Sequence, residues 1–88
     1  YEAQIRARSG LSIKHGITLI NAIGTVDADY RGEIKVGLVN LSDTEYTVNP
    51  GERIAQMVIC KVEYPQISVC SELCESERGS GGFGYTGK

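Results

Sequence analysis

Two carboxylates one residue apart, Asp27 and Asp29, sit in the run Asp27-Ala28-Asp29-Tyr30-Arg31-Gly32 beside a tyrosine, an arginine and a glycine. In an extended segment the carboxylates would share one face and Tyr30 would take the other, an arrangement that a turn ending at Gly32 would break. One carboxylate could orient and deprotonate a water while the other pairs with an arginine. The same residues also make an ordinary charged turn. Arg8-Ser9-Gly10 joins a guanidinium, a hydroxyl and a free backbone amide, which fits a phosphate-gripping turn or a plain surface turn. Gly51-Glu52-Arg53-Ile54-Ala55-Gln56 opens an apolar run with Arg53 and Gln56 three apart. In a strand those two would point to opposite faces, one structural and one toward a ligand. His15 stands alone, without a cysteine or carboxylate at ligand spacing, and reads as a surface or satisfied histidine.

The chain closes on Arg78-Gly79-Ser80-Gly81-Gly82-Phe83-Gly84-Tyr85-Thr86-Gly87-Lys88, in which five of the last ten residues are glycine. Such a segment cannot pack a core, and ordering it costs conformational entropy. Its arginine, hydroxyls and phenylalanine suit a nucleotide: amides and guanidinium for phosphate oxygens, a ring for a base. Taken alone, the composition reads first as a disordered end.

These groups must be carried by one small domain, since the chain has 88 residues. So short a chain leaves much surface uncovered, which points to oligomerisation or to further sequence. The net charge of −2, without a run of basic residues, argues against a duplex nucleic acid partner. No apolar run approaches the length of a membrane span and no signal-peptide pattern is present. Cys60, Cys70 and Cys74 form no CxxC pair and have no histidine nearby, so they read as reduced thiols of a cytoplasmic protein.

Period-two patterning dominates. Glu33 to Leu41, Gly16 to Ile23 and Glu45 to Val48 read as strands, the last ended by the Asn49-Pro50-Gly51 turn signal. Arg53 to Val62 fits a helix on periodicity, but its β-branched residues and the preceding turn favour strand. No segment has helix caps around an amphipathic stripe, so the expected class is all-β. After Pro65 the composition turns polar and acidic, and the 18 steps to Phe83 could span roughly 60 Å if extended, enough to reach another subunit.

In this order the motifs resemble those of the trimeric dUTP diphosphatases (dUTPases), from Arg8 to Lys88. Four of the family's five motifs are present: Arg8-Ser9-Gly10-Leu11, Gly24 to Gly32, Gly51 to Gln56, and the glycine-rich end. The resemblance implies a distorted jelly-roll β-barrel in a homotrimer, with residues 1–70 as core and 71–88 as a flexible arm that crosses to a neighbouring subunit. It implies hydrolysis of dUTP to dUMP and pyrophosphate, limiting uracil in DNA and supplying dUMP, with Mg²⁺ held by phosphates and waters rather than directly by the protein.

It also implies roles. Asp27 matches the aspartate that activates the water attacking the α-phosphorus, and Tyr30 the tyrosine that packs on deoxyribose and excludes a 2′-hydroxyl. Asn21 matches the uracil-reading position, where backbone groups through Gly24, Thr25 and Val26 could mimic the pairing edge of adenine. Arg8, Ser9 and Gly10 would hold the phosphate chain, with Gln56 adding a contact and Lys35 near the nucleotide. In the arm, Arg78 would reach the terminal phosphate and Phe83 would stack on uracil, while Gly84 and Thr86 complete the lid.

Two departures stand out. The family's first motif is absent and nothing in residues 1–7 replaces it, so the expectation is a complementary N-terminal polypeptide that pairs with this chain and supplies it. Tyr85 occupies a position where the family usually has a small hydroxyl residue. A dCTP deaminase-like enzyme would need a different acid–base residue near the pyrimidine, usually glutamate. A non-catalytic nucleotide-binding module should have lost Asp27 or Phe83.

Overall fold

Strand β1 (Glu2–Arg6) is paired on both sides, and its Ile5 is one of three buried apolar residues among those described. The computed structural model describes residues 1–87. After β1 come helix α1 (Ser9–His15), β2 (Ile17–Leu19), β3 (Gly24–Asp27), β4 (Leu38–Asn40) and β5 (Gln56–Cys60). One antiparallel sheet has the order β3-β1-β5, and a second pairs β2 with β4. Among the described residues the regular structure is mostly β with one short helix, the all-β class expected.

Opposed residues of antiparallel strands share a face. Ala3 and Ile5 therefore lie on one side of the sheet with Val26, Met57 and Ile59, while Glu2 and Gln4 share the other with Thr25, Asp27 and Val58. Ile17 and Leu19, two apart on β2, complete the buried set at 6% and 4% exposure beside 5% for Ile5. β2 alternates as a half-buried strand requires, whereas on β5 Met57 and Ile59 stand exposed on the side of Ile5.

Three expectations need correcting. Helix α1 forms where none was expected. Its seven residues bury none of their side chains, and Ile13 is exposed, so no amphipathic stripe could have marked it. So short a helix has little intrinsic stability. It is held by its ends: Gly16 closes it in the left-handed region, its amide bonding back to Leu11 and Ser12, and Lys14 and His15 lie in the last turn, where cations suit the helix dipole.

The second correction concerns strand length. The run from Glu33 to Leu41 is strand only at its end (β4), and Gly16 to Ile23 only at its start (β2). Beyond β2 the chain turns through Ala22, which takes φ 64° as its amide bonds to Leu19. Third, Glu45 to Val48 forms no strand, and is instead tied through Tyr46 to the turn that follows. The Tyr46 hydroxyl donates to Glu52 Oε2 (2.9 Å), and the Asn49 side chain and backbone amides donate to Glu52 Oε1 (3.1 and 3.4 Å). The His15 ring lies against Tyr46, centroids 4.9 Å apart. The turn signal itself holds: the Glu52 amide bonds to the Asn49 carbonyl and Gly51 has φ 84°, a type II geometry. The Arg53 to Val62 run is strand at β5 rather than helix.

The chain exposes 7940 Å², against about 5,000 Å² for a compact monomer of its mass. Its radius of gyration is 18.9 Å, where about 12 Å is usual for this length. Beyond β5 no regular element forms among the described residues, and Tyr64, Ile67, Val69 and Leu73 stand almost fully exposed. That apolar surface is available for packing against other chains or further sequence. Cys60, Cys70 and Cys74 are all free thiols.

Two outcomes follow from this packing. A Cβ on Gly16 would lie 2.8 Å from the Ser42 amide, at φ 70°, so Gly16→Ala should cost about 1–2 kcal/mol or more, read as a lowered Tm. The Glu52 carboxyl is held below its ordinary value, first by the Tyr46 hydroxyl and then by Asn49. Its stabilisation is therefore present above the ordinary carboxylate range and lost as pH falls through the lowered folded value. Glu52→Gln should lower Tm at pH 7, and the gap from the parent should close on acidification; a gap constant with pH would count against the clamp.

Candidate active site

Asp27 ends β3, and the chain then turns sharply, the Tyr30 amide bonding to the Asp27 carbonyl at 3.1 Å. This turn removes the shared face that an extended Asp27–Asp29 segment would have had. Instead Asp27 and Tyr30 line one cleft of about 240 Å³ with Thr25, Val26, Glu33, Ile34 and Lys35. Asp29 lies outside it. Tyr30 is anchored by its hydroxyl, which donates to the Glu33 carbonyl at 2.6 Å, leaving about half of the residue exposed. Among the described residues the expected pairing of a carboxylate with an arginine is not made: Arg31 donates to the carbonyls of Ala28 (2.9 Å) and Tyr30 (3.0 Å), bracing the turn. Lys35 lies 4.0 Å from Glu33, both largely exposed.

Five of the residues singled out from the sequence thus meet in one cleft: Thr25, Val26, Asp27, Tyr30 and Lys35. Asn21 and Gly24 do not line it. Asn21 belongs to the turn before β3, its carbonyl accepting from the Ile23 amide, so only Gly24 to Asp27 of the expected extended segment is strand.

A second group forms at the other end of β1. Arg8 caps the start of α1 with extended backbone, and Ser9 and Gly10 make the first turn. The Arg8 guanidinium donates to the Arg53 carbonyl (3.0 Å), and the Gln56 side-chain amide donates to the Ala7 carbonyl (3.0 Å). Two motifs more than forty residues apart are tied together by these bonds. The register sets their distance from the cleft. Asp27 faces Glu2 at the start of β1 and Gln56 faces Arg6 at its end, about 14 Å along the strand.

The third group is the arm. Arg78, Phe83, Gly84 and Thr86 line their own hollow with Gly82 and Tyr85, and the Phe83 ring is fully exposed. Lys88, the end of the expected arm, lies outside the described residues. Among the described residues the arm contributes no side chain to the cleft.

Several residues here escaped the sequence reading. Glu33 and Ile34 line the cleft because the expected strand is replaced there by irregular chain. Glu2 lies across the ladder from Asp27, a proximity that only the pairing of β1 with β3 reveals. The carbonyls of Ala7 and Arg53, which hold Gln56 and Arg8, carry no side-chain signal at all. Among the described residues no three histidine, cysteine, aspartate or glutamate side chains gather as a metal cage.

A family model described as dUTPase matches residues 1–87. Relatives named deoxyuridine 5'-triphosphate nucleotidohydrolase include one from Finegoldia magna, 60% identical over 87 residues, covering 99% of this chain and 61% of the relative. One from Fusobacterium nucleatum is 58% identical over 88 residues, covering 100% and 60%. One from Neorickettsia sennetsu is 64% identical over 86 residues, covering 98% and 58%. The chain spans about three fifths of the length of the curated relatives it matches. With the motifs, the sheet and this match in agreement over almost every residue, the chain belongs to the dUTPase family.

Proposed function

We propose that the protein carrying this chain hydrolyses dUTP to dUMP and pyrophosphate, and that the cleft between β3 and residues 30–35 takes the deoxyuridine end of the substrate. The observation that carries this reading is that Asp27 and Tyr30 line one cleft. The Asp27 carboxylate accepts a proton from a water as that water's oxygen bonds to the α-phosphorus. The bond from the α-phosphorus to the bridging oxygen breaks, and that oxygen keeps the electron pair and leaves as part of pyrophosphate. A carboxylate is a weak base toward water, so orientation and charge neutralisation supply most of the acceleration. The Tyr30 ring forms a wall against which a 2′-hydroxyl would be desolvated without a partner, so deoxyribose is preferred.

Asn21 and the backbone of Gly24 to Val26 read the uracil edge, and Lys35 sits beside the nucleotide. Arg8, Ser9, Gly10 and Gln56 hold the phosphates. Mg²⁺ would neutralise charge on the triphosphate and take its oxygens from phosphate and water, which suits a chain without a carboxylate cage among its described residues.

The separation of about 14 Å along β1 between the Asp27 and Gln56 positions supports a site shared between copies, with the cleft from one subunit and the phosphate-holding group from another. The exposed surface supports the same reading. We assign a homotrimer in which residues 1–70 form the core and 71–88 the arm that closes over a neighbour's nucleotide, Arg78 on the terminal phosphate and Phe83 on the base, with Gly84 and Thr86 completing the lid. No helix among the described residues is long and apolar enough to cross a membrane. Three free thiols suit a reducing cytoplasm.

The test is pyrophosphate release from dUTP against dCTP and dTTP. Release from dUTP alone is expected; ammonia release from dCTP would replace this reading with deamination. Asp27→Asn should lower kcat by about 10²–10⁴-fold while leaving the Kd for α,β-imido-dUTP nearly unchanged; turnover that persists removes Asp27 as the base. Phe83→Ala should raise KM for dUTP by about fivefold or more, the loss of one base–aromatic stack of roughly 1–3 kcal/mol.

A further inference from the structure

Tyr85 is the arm residue that departs from the family's usual small hydroxyl, and it is also the residue around which the arm is built. The Arg78 guanidinium lies over its ring, Cζ 4.5 Å from the centroid. Arg78 Nε donates to the Gly81 carbonyl, and the Gly81 amide donates back to the Arg78 carbonyl at 3.3 Å. The Tyr85 amide donates to the Gly82 carbonyl (2.6 Å) and the Gly87 amide to the Gly84 carbonyl (2.8 Å). The ring also rests against Gly81: a Cβ there would overlap Cδ2 and lie 2.9 Å from Cε2. Gly81 has no positive φ, so the space taken by the Tyr85 ring is what calls for glycine. The result is a closed loop with Arg78 and Tyr85 at its neck and Phe83 fully exposed at its tip.

We infer that Tyr85 preassembles the arm, stacking Arg78 so that the guanidinium edge and the Phe83 ring are presented to a uracil nucleotide as one unit. This rests on the proposed role of residues 71–88 as the closing arm. Stacking engages the face of the guanidinium and leaves its edge free. Among the described residues only Nε is hydrogen-bonded, so both Nη groups remain available for a bidentate grip on phosphate oxygens. A glycine-rich segment otherwise loses much entropy when a ligand orders it. A neck that closes before binding removes part of that cost.

The test measures Kd for α,β-imido-dUTP by calorimetry on the full protein, together with the NMR shifts of the Arg78 Hδ protons in the free state. Tyr85→Ser is expected to weaken binding about two- to fivefold, the size of one exposed cation–π contact. Tyr85→Phe keeps the ring and should restore the affinity. Gly81→Ala should weaken binding in the parent but add nothing to Tyr85→Ser, because the two act through one contact. The Arg78 Hδ protons should be shifted upfield by the ring and return on Tyr85→Ser. Unchanged or tighter binding by Tyr85→Ser, or Arg78 protons without an upfield shift, overturns the inference. A parent that does not bind the analogue at all overturns the dUTP reading, and this role with it.

Discussion

Strand β1 carries two antiparallel ladders at once, and the register of those ladders sets where Gln56 and the proposed water-activating Asp27 stand. Pairing with β3 brings Asp27 opposite Glu2, and pairing with β5 brings Gln56 opposite Arg6. A slip of one residue in either ladder would move the facing side chains to the opposite side of the sheet. The register is held by Ile5, which is buried between Gly24 and Met57 in the two flanking strands. Chemistry on the outer face thus depends on one apolar residue on the inner face.

That constraint also divides the proposed site. A triphosphate nucleotide must meet its water-activating carboxylate and its phosphate-holding groups together, yet β1 keeps the two at opposite ends. The bonds from Arg8 to the Arg53 carbonyl and from Gln56 to the Ala7 carbonyl make the phosphate-holding end a unit of its own. The turn at Asp27 and the Tyr30–Glu33 bond make the cleft another. Two separately braced halves suit an assembly in which subunit contacts bring them face to face. The large exposed surface gives such contacts something to bury.

The arm follows a different logic. None of its described residues is buried, and it is organised by short-range bonds and one stacked pair, so its order is local. Elements of this kind sit at the low end of local stability, which suits the closing role proposed for the arm. Glycine lets the chain turn tightly, while Arg78 and Tyr85 limit how many ways it does so.

The motifs were legible in the sequence because their chemistry depends on residue type and short spacing: Asp27 with Tyr30, Arg8 with Gly10, Arg78 with Phe83. The β character was legible from alternation, and the Asn49-Pro50-Gly51 turn from the backbone preferences of proline and glycine. Helix α1 was not, since it has no buried stripe and is held by its ends. The absence of strand at residues 33–37 and 45–48 was not either, because Ile34 turns to a cleft and Tyr46 bonds to Glu52, partners that local pattern does not reveal. By itself the sequence determined which groups are available and which short segments carry them. Only the tertiary structure decided which groups meet, because strand register and backbone carbonyl partners depend on residues far apart in the chain and leave no mark in any one segment.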